Sequence, residues 1–141
     1  MPNDIAMMSL VVAALAVFFG PLISLKIAKM QTVAPMRQAW INTLRDNLSE
    51  FLSATNYYFV AGFEDRTDAE YQRLTFLEAK IGLLVNTNEG DHFRLVQLMG
   101  NITAALAKGS PSGDEQFMLA HKEVTTLSRQ ILKREWNRIK A

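Results

Sequence analysis

"VAPMRQAWINTLRDNLSEFL", residues Val33 to Leu52, decides how this chain is built. Trp40, Leu44, Leu48, Phe51 and Leu52 recur at intervals that a helix gathers onto one side. Pro35 suits the first turn of such a helix, where its missing N–H has no intrahelical partner to lose. Phe59 continues the stripe, so the helix is expected from about Pro35 to about Ala61. Arg37 disturbs the pattern, because it projects from the middle of the apolar stripe. A buried arginine demands a carboxylate, since an unpaired buried charge is costly.

Three further segments share this period. Thr67 and Glu70 make a capping-box pattern ahead of Leu74, Leu77, Ile81, Leu84 and Val85. Asn88 and Asp91 open the next, with Leu95, Leu98, Met99, Ile102 and Leu106, ending near Lys108 before Gly109, a suitable C-terminal cap. Ser112 and Glu115 open the last, with Phe117, Val124, Leu127, Ile131 and Ile139. No strand pattern or internal repeat competes. Short connections favour antiparallel neighbours, so residues 33–141 are expected to form an up-down four-helix bundle in an all-α protein. Phe76 and Leu83 lie opposite the main stripe of the second of these helices. A helix apolar on two sides either sits centrally in the bundle or meets another subunit.

Upstream, "IAMMSLVVAALAVFFGPLISL", Ile5 to Leu25, holds no charged residue. At about 1.5 Å per residue, a helix of this length crosses a hydrocarbon core of about 30 Å. A cleaved signal peptide needs a basic leading region and a shorter apolar core. The chain instead starts "MPND", and Ala14 and Ala16 lie inside the apolar run. Residues 1–32 are therefore expected to be an uncleaved transmembrane anchor, and 33–141 a cytosolic domain. Lys26, Lys29 and Arg37 follow the span, which places the N-terminus outside and the rest in the cytoplasm. Ala16 and Gly20 form a small-xxx-small pair suited to self-association, and Pro21 is expected to kink the span.

The chemistry the sequence offers is sparse. The 141 residues carry a net charge of +1 and no cysteine, which removes disulfides, thiolate metal sites and thiol nucleophiles. His92 and His121 fall on different helices, without the spacing a zinc site needs. Neither follows an arginine at the four-to-six-residue distance of HEPN-type nucleases. There is no G-x-S-x-G elbow and no phosphate-cradling loop. No catalytic residue, metal or cofactor is assigned, and nucleic acid is not an expected partner.

The last helix ends in Arg129, Lys133, Arg134, Arg138 and Lys140, against one acid, Glu135. Arg134, Arg138 and Lys140 are expected to meet membrane lipid headgroups, at about 1 kcal/mol each. Glu135 lies near the centre of that helix's apolar stripe, at the end of the bundle where the first helix begins. Arg37 is therefore expected to pair with Glu135 between Trp40 and Trp136, with Asn42 and Arg45 extending the network. A structural role is favoured over ligand or headgroup binding, because no second acid–base pair accompanies the cluster.

"RQAWINTLRDNLSEFL", "NEGDHFRLVQLM" and "ILKREWNRIK" resemble motifs of a widespread group of small bacterial single-span membrane proteins. The layout of one span followed by a helical domain is similar to that of the membrane-pore accessory proteins of type VI CRISPR systems. Those proteins assemble into oligomeric pores and support defence against phage. The resemblance implies a non-enzymatic inner-membrane protein that forms a homo-oligomer and acts as an effector or pore-forming accessory. The alternative is a membrane-tethered module that holds a cytosolic protein partner without forming a pore. A small enzyme or nucleic-acid-binding domain stands third.

Overall fold

The computed structural model describes residues 2–61, 66–108 and 111–140. They form α1 (Pro2–Val60), α2 (Asp68–Leu84), α3 (Gly90–Lys108) and α4 (Pro111–Lys140), with no strand among the described residues. The chain divides into two compact units, Met1–Arg37 and Gln38–Ala141.

The expected helix start at Pro35 is not observed. α1 runs through both Pro21 and Pro35. Each proline removes one backbone donor, and the surrounding turns keep the helix going. In the first unit, Met7–Leu25 is long and apolar enough to cross a membrane, with a mean hydropathy of 2.3. Leu10, Leu15, Phe19, Leu22 and Leu25 are all exposed along it.

The second unit has one hydrophobic core fed by all four helices. Leu44, Leu48 and Phe51 of α1 meet Leu74, Leu77 and Ile81 of α2, Leu95, Met99 and Ile102 of α3, and Phe117, Val124 and Ile131 of α4. These are the stripes expected from the sequence. α3 packs most extensively on α4, and α2 on α3. From α1, the Trp40 indole N–H donates to the Leu84 carbonyl on α2 at 2.8 Å. Phe59 stacks on Phe117 of α4 with ring centroids 4.3 Å apart. The His121 ring lies 3.1 Å from the Leu52 carbonyl through Nε2. A carbonyl only accepts, so Nε2 carries the proton and His121 is a cross-helix strut.

Caps explain the helix ends. Thr67 caps α2 with both halves of the expected capping box: its hydroxyl accepts from Glu70 N–H at 3.2 Å, and its own N–H donates to the Glu70 carboxylate at 3.0 Å. The start of α3 differs from expectation. The Phe93 N–H bonds to the Glu89 carbonyl at 2.9 Å, which puts Glu89 rather than Asn88 at the cap. Asn88 instead donates its N–H to the Asn86 side chain, an Asx turn that tightens the connection. α4 starts at Pro111, one residue before Ser112, as a first-turn proline favours. Gly109 lies outside the described residues.

Arg66, which no sequence pattern singled out, ties two helix ends together. Its guanidinium donates to the carbonyls of Tyr58 at 2.9 Å and Phe59 at 3.4 Å on α1, and of Leu106 at 3.1 Å on α3. These carbonyls belong to last turns, which lack helical N–H partners and carry the negative end of the helix dipole. The same guanidinium lies 4.9 Å from the Tyr58 ring centroid. Burial raises the Tyr58 phenol above its ordinary pKa, against the opposing pull of the Arg66 charge.

Candidate functional site

The densest charged cluster of the second unit joins the α2–α3 turn to the C-terminal end of α4. The turn supplies Glu89, Asp91 and His92, and α4 supplies Arg134, Glu135 and Arg138. Glu135 occupies an inward position one turn after Ile131, so the helix carries its carboxylate into the core, where it is 4% exposed. Both arginines converge on one of its oxygens, Arg138 at 2.7 Å and Arg134 at 3.2 Å. Arg134 also reaches across to the turn, donating to Asp91 and, at 2.9 Å, to Glu89. Arg138 adds a longer contact to Glu89 at 3.5 Å.

The electrostatics follow from this geometry. Burial alone would raise the Asp91 carboxyl, but the Arg134 hydrogen bond and charge outweigh it and hold the group below its ordinary value of 3.8. Burial likewise works against the Arg134 cation, and its bonds to Asp91 and Glu135 more than restore it. Three carboxylates face two guanidiniums, one excess negative charge among these five groups.

Glu89, Asp91 and His92 place potential ligand atoms within 4.8 Å of one another, the spacing of a metal site. Arg134 already fills the cationic role there. Its guanidinium contacts both carboxylates and lies 3.3 Å from His92 Nε2. A metal ion at their centre would have to displace it. His92 is also poorly placed as a base, because its Nδ1 accepts the Asn86 N–H at 3.2 Å. The arrangement fastens the α2–α3 turn to α4.

The residues expected to form one cluster make the following contacts. Arg37 is exposed and belongs to the first unit. The buried side of α1 starts a turn later, at Ile41. Trp40 holds α2 through Leu84. Asn42 and Arg45 form a local surface pair at 3.2 Å, with Gln38 also donating to Asn42 at 3.0 Å. Trp136 is exposed, with the Lys140 ammonium 5.2 Å from its ring centroid. Of the three residues expected to face lipid, Arg134 and Arg138 direct donors at carboxylates, and Lys140 lies over Trp136. In the first unit, Ala16 is exposed, and a side chain at Gly20 would meet nothing within 4 Å.

In the sequence, the acids of "NEGD" and the basic end of the last helix lie some forty residues apart. The fold joins them through the Arg134 and Arg138 contacts to Glu89 and Asp91. No protein-family model, curated protein or solved structure matches the chain.

Proposed function

We propose that the protein is a non-enzymatic, single-span protein of the bacterial inner membrane that works by assembling with copies of itself. In this reading Met7–Leu25 is the anchor, Ala16, Gly20 and Pro21 belong to its packing face, and residues 38–141 form a cytosolic up-down four-helix bundle. One observation carries the proposal: an apolar helix segment of spanning length with mean hydropathy 2.3 and an exposed surface, on a chain whose main charged cluster is spent on holding helices together. An exposed apolar segment of this length is costly in water and favourable in a bilayer.

A single span cannot line a channel, so a role as pore-forming accessory in phage defence requires several copies side by side. Membranes from bacteria expressing the full chain test the anchor. The protein is expected to resist extraction by alkaline carbonate, and release into the soluble fraction would overturn it. Single cysteines are expected to be shielded from an impermeant thiol reagent in the C-terminal unit of intact spheroplasts and labelled near the N-terminus. Purified protein in lipid bilayers is expected to be oligomeric. Conductance there supports the pore version, and oligomers without conductance favour a tethered module for a cytosolic partner.

A further inference from the structure

The outward side of α4 carries a basic face that the charged cluster does not use. Met118, Lys122, Arg129, Lys133, Trp136 and Lys140 are all exposed, and their spacings of three, four and seven residues put them on one side of the helix. The buried Val124, Leu127 and Ile131 fall on the other. The two acids of this stretch are engaged elsewhere. Glu123 pairs with Arg94 of α3, and Glu135 is buried against Arg134 and Arg138. Among the described residues Lys122, Arg129 and Lys133 have no carboxylate partner, whereas Arg73, Arg94, Arg134 and Arg138 each have one or more. Lys140 lies over the Trp136 ring.

We propose that this face of α4 is a second membrane contact, made with the headgroups of anionic lipid, an inference that rests on the anchored reading above. Charge complementarity carries it first: the face presents cations and no outward acid, so it suits a surface of spread negative charge. Its apolar members fit the same partner. Met118 is 60% exposed and Trp136 is 39% exposed. An indole is amphipathic and settles at the level of the headgroups, where one end is apolar and the other wet. The span supplies the remaining argument. A few cations alone hold a protein only weakly on a bilayer, and stable attachment takes two signals. Met7–Leu25 is the first of these, and it keeps headgroups at a high effective concentration around the rest of the chain. Each outward cation then raises the ratio of docked to undocked protein roughly fivefold.

The chain has no cysteine, so an introduced thiol carries a single probe. Full-length Gln130→Cys, beside Arg129, and Asn101→Cys, at an exposed position of α3, are labelled with a nitrobenzoxadiazole fluorophore and reconstituted into vesicles holding lipid with a nitroxide headgroup. With about 30% phosphatidylglycerol the Gln130 label is expected to be quenched more than the Asn101 label, and more than in phosphatidylcholine alone. Raising the salt to about 0.5 M is expected to remove the difference. Arg129→Gln and Lys133→Gln are each expected to lower the docked-to-undocked ratio roughly fivefold. Neither should alter the unfolding temperature, because both side chains are exposed. Quenching at Gln130 that is indifferent to phosphatidylglycerol, or to both substitutions, overturns the proposal. So does a Gln130 label that responds to added RNA and not to phosphatidylglycerol, which assigns the face to nucleic acid. Alkaline carbonate treatment of the same vesicles separates the two ideas. Chain retained without quenching sinks this face alone, and chain released sinks the anchored reading with it.

Discussion

Arg134→Met tests the charged cluster against the pairing expected from the sequence. If Glu135 chiefly neutralised a buried Arg37, Glu135→Gln would be the damaging change. The observed geometry ranks the two substitutions the other way. Glu135→Gln removes one of three carboxylates and leaves two facing two guanidiniums. Neither arginine is stranded, because Arg134 keeps Asp91 and Glu89, and Arg138 keeps Glu89. Glutamine can still accept from them through its amide oxygen. A loss of about 1 kcal/mol is expected, the scale of one imperfectly replaced hydrogen bond.

Arg134→Met keeps most of the aliphatic stem but leaves three carboxylates facing one guanidinium. Glu135, with its side chain 5% exposed, then depends on Arg138 alone. Breaking a fully buried pair costs about 3–5 kcal/mol. The Arg134 side chain is 35% exposed, and solvent screening reduces that figure. About 2 kcal/mol is the expected loss, or roughly 8 °C in Tm for a unit of this size. Circular dichroism of the full chain in detergent, with heat and urea as independent denaturants, measures both variants. The reasoning fails if Glu135→Gln destabilises more than Arg134→Met, or if Arg134→Met changes stability by less than about 0.5 kcal/mol.

Other consequences can be checked on the same footing. Folding lowers the Asp91 pKa, so the native state binds fewer protons there than the unfolded chain; this contribution is full above about pH 4 and is lost as pH falls through the folded pKa. Asp91→Asn should therefore show a smaller loss of stability on acidification from pH 5 to pH 2 than the unmodified chain, as read by urea unfolding. Ser128 is buried on α4, and its hydroxyl has no hydrogen-bond partner among the described residues. Ser128→Ala should stabilise by about 1 kcal/mol through lost desolvation cost and better helix propensity, and a fall in Tm would contradict this. Arg66→Met should speed hydrogen exchange in the last turn of α1 relative to its middle, with a stability loss of about 2 kcal/mol; uniform protection along α1 would refute the clamp.

The helical period exposed most of the architecture. Leu44, Leu74, Leu95 and Phe117 were legible as core because each sits in a three-and-four spacing that one helical side must bury. The Thr67–Glu70 box was legible because capping is local. Two kinds of feature were not. Pro35 looked like a helix start because local rules favour proline in a first turn, yet α1 continues through it. Arg66 was invisible because it acts on carbonyls from Tyr58, Phe59 and Leu106, groups every residue possesses, brought together only by the fold.

The charged cluster shows why a run of like charge is a poor guide to the surface it creates. In sequence, Arg134 and Arg138 belong to a basic helix end of the kind that attracts anionic lipid. In three dimensions their donors meet Glu89, Asp91 and Glu135, and the group as a whole is negative by one charge. An approaching phosphate would have to compete with carboxylates already in place and would feel their repulsion. Arg129 and Lys133, on the same helix, are exposed. The arginines that look most like a lipid site in the sequence are thus the ones that fasten α4 to the α2–α3 turn.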